Sequence, residues 1–546
     1  MRKLAATLGA ALIIGSVPAL AQDKPAEIGM GVFTFTSGPA AAYGMPGRNA
    51  AELMIDQINA AGGIGGVPIA PTYVDEAQGG EGVVSEFRRL AEDDKMDVMV
   101  AALSSGNCMA LAPVADQLKM PMVTWNCDTH QLFLKETHDY VFRPNSSTIP
   151  EFVAYAAYLA ETDPEATRIA IINPDYAFGH DAAQIFTGAM KAFNPDTEIV
   201  AELFPKLGSP SFNTEISRIA AARPDVIFSN LWGADLENFI RQASARGLFK
   251  TTKVVLALGE SALQRTELPD GVIVGVLGDG WWMSPDAQAN EETKTFVADY
   301  KEKFGEYPVF PSMKMANTIL AVKAAYEKAI AAGDGWPTRE KLRDALEGLE
   351  VTNLTGTVTI REDHDGLVDQ VVGVTKKTDA YDFPVIVDMA RYPAADITPP
   401  VGRCQPAGDC RPLPGALDGT AQPPPPVQCP SIEKNRAGHG RLDSHAGGRP
   451  GGVGHHLFHR RRADARLQRP ARPERRPRQL LFHRRLHRRL DRRRGDQRRA
   501  QPLALLPDPA LQRRPRRRPA RPVHRGDVHP LDLRQARSRP DPGDLR

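Results

Sequence analysis

Apolar and polar positions alternate in two rhythms along the chain. The run Ile28 to Phe35 is too short for a buried helix and carries β-favouring Val and Phe. Beyond it Ala51, Met54, Ile55 and Ile58 recur at helical spacing, with polar Asn49, Glu52, Asp56 and Asn59 between them. A strand therefore feeds a helix through Thr36, Ser37, Gly38 and Tyr43. The same order predicts strands at Pro68 to Val74, Asp97 to Leu103, Pro121 to Trp125, Arg168 to Asn173, Glu198 to Phe204, Asp225 to Asn230, Lys253 to Leu258 and Gly271 to Leu277. Helices are expected between them at Val83 to Glu92, Met109 to Leu118, Pro150 to Leu159, Asp181 to Phe193, Phe212 to Ala222 and Leu236 to Ala245. Such alternation predicts an α/β fold with parallel sheets covered on both faces. There are too many units for one sheet of ordinary width, so two doubly wound lobes are expected. Ligands bind beyond the carboxyl ends of strands in open sheets, where helix-start amides and short polar side chains converge. Ser37 and Tyr43 become the first ligand candidates.

Two long helices follow, Glu291 to Phe304 and Ser312 to Ala331, then a shorter one at Arg339 to Leu346, and the pattern ends in the β-like TVTIREDHDGLVDQVVGVTKK. The return to helices after the second set of strands predicts crossings near Asn145, Met283 and Thr352. The first lobe then comprises residues 22–145 and 283–352, and the second 146–282 and 353–403. Three crossovers make a hinge, and a hinge makes a cleft that can close.

Composition changes the picture at both ends. Arg2 and Lys3 precede an apolar stretch from Leu4 to Leu20 that closes in Ala19-Leu20-Ala21, the pattern of a secretory signal peptide over residues 1–21. The stretch is short for a bilayer span. An exported protein, periplasmic in a cell with two membranes, is expected. A net charge of +2 hides two unlike regions: residues 451–546 hold 29 Arg, no Lys and nine acids, which makes them +20 and the remainder −18. The Pro- and Arg-rich segment 404–546 cannot bury a core. Dense Arg suits a nucleic-acid arm or a basic linker, yet interleaved aromatics for base stacking are lacking. Arg, Pro, His and Gly without Lys also match GC-rich DNA read out of frame. The preferred reading is an out-of-frame or disordered tail, with no nucleic-acid partner.

The folded part resembles the periplasmic substrate-binding proteins of branched-chain amino acid ABC transporters, the leucine/isoleucine/valine-binding protein family with the type I periplasmic binding fold. The resemblance is carried by TSGPAAAYG with INAAGGIGG, by VMVAALSSGNCMALAPVADQLKMPMV, by YVFRPNSS, by IAIINPDYAFGHDAA and by FNTEISRIAAARPDVIFSNLWGADLENFIRQASARGL, in the family's order from about Glu27 to Arg403. It implies capture of a small amino-acid-like metabolite and its delivery to a membrane permease, by a monomer without covalent chemistry. In that family the first lobe grips a carboxylate from a Ser and from the loop after the next strand. Ser104 and Ser105 match the first position, and Asn126 and Asp128 lie near the second. Asp128 departs from the family's hydroxyl and would repel a carboxylate unless protonated or turned away. On the second lobe the resemblance assigns an aromatic wall to Tyr176, Phe178 and Trp232, and the acid that pairs with a ligand ammonium to Glu260. The competing reading of Tyr176 and Trp232 is packing between lobes, and that of Glu260 a solvated loop acid or helix-start acid. Trp281 and Trp282 read as hinge packing.

Cys108 and Cys127 follow strands expected to be neighbours in an oxidising compartment. A disulfide between their loops is the preferred reading, against buried free thiols or a nucleophile, for which no orienting carboxylate beyond Asp128 is evident. Cys404 and Cys410 are close enough to pair, which leaves Cys429 odd. His364 in REDHDG reads as a surface residue, not a metal ligand. No catalytic constellation or phosphate loop stands out, so neither an enzyme nor a cofactor is expected. The alternative to transport is a ligand-sensing module of the same fold acting in regulation.

Overall fold

The computed structural model describes residues 24–134, 137–333 and 335–401. The expected signal peptide, the tail from residue 404 and Cys404, Cys410 and Cys429 lie outside the described residues. Among those described, no helix is long and apolar enough to cross a membrane.

Strands β1 (Ile28–Thr34), β2 (Ile69–Asp75), β3 (Val98–Val100), β4 (Met122–Val123) and β5 (Val141–Phe142) form one sheet in the order β2-β1-β3-β4-β5. Every neighbouring pair is parallel. Helices α1 (Ala41–Ala60), α2 (Gly79–Glu92) and α3 (Ser105–Leu118) cross between its strands. With helices on both faces, β1 and β3 are apolar on both sides and almost wholly buried.

The second sheet is built from β6 (Arg168–Ile172), β7 (Glu198–Leu203), β8 (Val226–Ser229), β9 (Lys253–Leu256) and β10 (Ile273–Gly275). These run parallel in the order β7-β6-β8-β9-β10. The connectivity matches that of the first sheet, so each has a switch point, between β1 and β3 and between β6 and β8. A small antiparallel sheet of β11 (Glu350–Thr352), β12 (Thr357–Ile360) and β13 (Gly366–Leu367) stands apart. Only from β14 (Gln370–Lys376) does the chain join the second sheet, antiparallel to β10, and β15 (Val385–Tyr392) pairs antiparallel with β14 to close the edge. The alternating pattern had marked neither β5, two residues long, nor β15, whose outer half is only partly buried. The late helix Phe310–Ala331 packs along α1 and so covers the first sheet.

Helix α1 starts before the loop reading allowed. Tyr43 lies in its first turn rather than in the loop, although Pro46 within the helix has no N–H to offer the Ala42 carbonyl. The guanidinium of Arg265 donates to that carbonyl at 2.8 Å and replaces the missing bond.

The disulfide joins Cys108 in α3 to Cys127 after β4, with the Cα atoms 6.1 Å apart. It ties together the two first-sheet loops that follow β3 and β4. By loop-closure entropy, a bridge between cysteines 19 residues apart contributes about 3 kcal/mol. Cys127→Ser should lower the urea midpoint accordingly, and equal midpoints for variant and parent under oxidising conditions would show that the bridge holds nothing.

Candidate functional site

Tyr43, Leu103, Ser105, Asn126, Asp128, Tyr176, Phe178, Trp232 and Leu258 surround one gap with room for little more than a single water. Each lies at or just past the carboxyl end of a parallel strand. Tyr43 follows β1, Leu103 and Ser105 follow β3, and Asn126 and Asp128 follow β4. From the other sheet Tyr176 and Phe178 follow β6, Trp232 follows β8 and Leu258 follows β9. The two switch points thus face each other, and the walls nearly touch.

Aromatic edges make most of that contact. The Tyr43 ring meets Trp232 edge-on with centroids 5.6 Å apart, and it meets Phe310 in the same way at 5.5 Å. Such geometry matches the ring quadrupoles and adds to the burial of their area. The Tyr43 hydroxyl donates to Asn126 Oδ1 at 3.1 Å, so the ring is fixed at both ends. The Trp232 indole N–H is turned toward the Tyr176 hydroxyl but falls short of hydrogen-bond geometry, which leaves a buried donor on the cavity wall. At the lip, Ala234 N donates to Pro39 O at 3.2 Å. Gly233 adopts φ +57 there, and a Cβ on it would stand 3.1 Å from the same carbonyl.

Three of the expected ligand residues lie outside the lining of this gap. Ser37 is exposed and hydrogen-bonds Asp75. Ser104 caps α3, its Oγ accepting from Asn107 N at 3.1 Å. The carboxylate of Glu260 accepts from Phe310 N at 2.8 Å, at the start of the helix Phe310–Ala331, and is not part of the cavity wall. Burial raises the Glu260 carboxyl to about 8. Trp281 and Trp282 also lie away from the gap, with Trp282 stacked on Tyr307 at 4.9 Å. His364 lies flat on Phe142 at 4.1 Å, its Nδ1 3.0 Å from Val141 O.

Asp128 does not stand in the cavity as a bare charge. The Lys314 ammonium is 2.9 Å from its Oδ1 and 3.4 Å from Glu151 Oε1, and all three side chains are buried. Burial raises the carboxyls of both acids, Lys314 pulls the other way, and Glu151 is raised to about 8. Arg143 lies behind them, donating to Asp365 Oδ1 at 2.7 Å, Cys127 O at 2.7 Å and Thr129 O at 2.8 Å. The loop that carries Leu103 and Ser105 has its own buried support. Glu76 accepts from Leu103 N at 2.6 Å, Ser104 N at 3.3 Å and Asn107 Nδ2 at 2.9 Å, and burial raises its carboxyl to about 7.

Sequence reasoning missed Leu103, Leu258, Lys314, Glu151 and Glu76. Leu103 and Leu258 end two strands that the pattern marked, so the strand-end rule could have found them. Lys314 and Glu151 sit within ordinary helical stretches, and no local signal separates them from surface charges.

The periplasmic binding protein family matches residues 27–379. Among curated proteins, the Leu/Ile/Val-binding protein BraC3 of Rhizobium johnstonii is 26% identical over 372 residues, 67% of this chain and 94% of that one. A solute-binding protein of an ABC transporter from Rhodopseudomonas palustris, solved with 3,4-dihydroxybenzoic acid, superposes with TM-score 0.61 at 23% identity and covers 68% of this chain and 98% of that one. The leucine-, isoleucine-, valine-, threonine- and alanine-binding protein of Brucella ovis, in its closed conformation, gives TM-score 0.59 at 21% identity, with 69% and 97% covered. These likenesses show the fold. The chain belongs to the periplasmic binding protein family, whose members hold solutes without transforming them.

Proposed function

We propose that this protein is the extracytoplasmic receptor of an ABC importer, exported by its signal peptide, which captures a small amino-acid-like or aromatic-acid-like metabolite between its two halves and hands it to a membrane permease. The observation that carries this reading is the convergence of strand-end side chains from both sheets on one cavity: Tyr43, Ser105, Asn126 and Asp128 from one side, Tyr176, Phe178 and Trp232 from the other. Polar groups cluster on the first half and aromatic rings dominate the second, which suits a solute with a polar head and an apolar body. The names of the relatives, binders of branched-chain amino acids and of a hydroxylated benzoic acid, agree with that description.

The gap is smaller than ordinary small-molecule sites, so a solute enters by parting the walls. The segments near Asn145, Met283 and Thr352 are the hinges of that motion. The solute touches both halves only when they are together, so its binding energy favours the closed form. That form is what a permease would recognise.

A thermal-shift screen of amino acids and aromatic acids against the purified protein should find a solute that raises the melting point. At a hundredfold excess over its Kd the gain is about 2.7 kcal/mol. A panel of both classes that leaves the transition unmoved would overturn the reading. With that solute in hand, Trp232→Ala should weaken binding by about 2 kcal/mol or more, since it removes a central buried aromatic, and unchanged affinity by calorimetry would take Trp232 out of the site.

A third expectation concerns pH. Glu260 and Glu151 hold protons up to about 8 and Glu76 up to about 7, while each carboxyl ionises near its ordinary value of 4.5 in the unfolded chain. The folded state therefore binds more protons between these limits, and stability falls as pH rises through the window. Each group contributes at most about 1.4 kcal/mol per pH unit. Urea unfolding at pH 5.5, 7 and 8.5 should show the decline, with a shallower slope in Glu260→Gln; an identical slope would place the Glu260 proton loss outside this range.

A further inference from the structure

Asp128 stands in the cavity wall beside Ser105 and Asn126, where it would meet the polar head of a solute. In a closed gap emptied of water a bare carboxylate there repels any anionic head. Two cations relieve it, Lys314 by direct contact and Arg143 from farther off. The Lys314 ammonium lies 2.9 Å from Asp128 Oδ1 and comes from a helix behind the wall, not from the wall itself. Arg143 is committed to Asp365 and to two carbonyl oxygens. Glu151, the second acid that Lys314 touches, lies farther off at 3.4 Å, so the ammonium sits chiefly against Asp128.

Resting on the receptor reading above, we infer that Lys314 is a specificity-determining residue: by cancelling the charge of Asp128 it lets the cleft close on a solute that carries a carboxylate. Lys314 is a positioning charge, since it acts through Asp128 and not by contact. Its removal should therefore penalise an acid and spare the corresponding amide, which a loss of fold or of cavity shape would not do. Removal of both charges together should restore the acid.

The test is calorimetric titration of the full protein with benzoate and benzamide, and with L-leucine and L-leucinamide. The parent should bind at least one of the two acids more tightly than its amide. Lys314→Met should weaken that acid on the order of 30-fold and the amide less than about 3-fold, and Lys314→Met with Asp128→Asn should bring the acid back to within about 5-fold of the parent. Asp128→Asn alone keeps the ammonium without its counter-charge and should tighten the acid relative to the amide, so it decides the matter even if Lys314→Met does not fold. The inference is overturned if acid and amide weaken together in Lys314→Met, if the double variant fails to recover the acid, if Asp128→Asn fails to tighten the acid relative to the amide, or if the parent binds neither acid. In that last case, a solute of another class that raises the melting point leaves the receptor reading standing, whereas no solute at all removes both.

Discussion

A parallel sheet whose strand order reverses cannot be covered at the reversal. The helices that leave the two strands on either side of that point go to opposite faces, and a crevice opens beyond the strand ends. This chain contains the constraint twice, between β1 and β3 and between β6 and β8. The two crevices face each other, so every cavity residue belongs to a strand end or to the loop or first helical turn that follows it. Tyr43 and Trp232 belong to different crevices, and their edge-on contact closes one against the other.

The same arrangement sets the electrical problem of the site. Loops that converge on so narrow a gap bring polar groups where little water can solvate them, and most find a partner, the Trp232 indole N–H excepted. Glu76 meets the demand with the amides of Leu103 and Ser104, Glu260 with the amide of Phe310, and Asp128 with the ammonium of Lys314. These contacts also fix the loops that line the cavity. The disulfide between Cys108 and Cys127 ties the loops after β3 and β4 by a covalent route, so the polar side of the gap is held rigidly while the aromatic side meets it through ring contacts.

Much of this was legible in the residues. Apolar runs of strand length and helical spacing after them located nearly every parallel strand and long helix. The rule that ligands gather at strand ends, with the family resemblance, picked out seven side chains that the structure brings to one gap. The departures have local causes. Tyr43 passed for a loop residue because the apolar helical spacing was read only from Ala51, whereas the helix starts at Ala41 and the Arg265 guanidinium, far along the chain, replaces the bond that Pro46 cannot make. Ser104, which the resemblance placed with Ser105, caps α3 with its hydroxyl, since a helix cap and a ligand grip use the same side chain in the same place.

The sequence alone determined the two-sheet α/β plan, the positions of the strand ends and the kinds of side chain there, because periodicity and turn chemistry act over a few residues. Tertiary structure decided how the buried polar and charged groups were matched. Lys314 reaches Asp128 across 186 positions of chain and Glu260 reaches Phe310 across 50. Pairings over such separations depend on which helix packs on which sheet, and a charged residue in a helix carries the same local pattern whether it faces water or a buried partner.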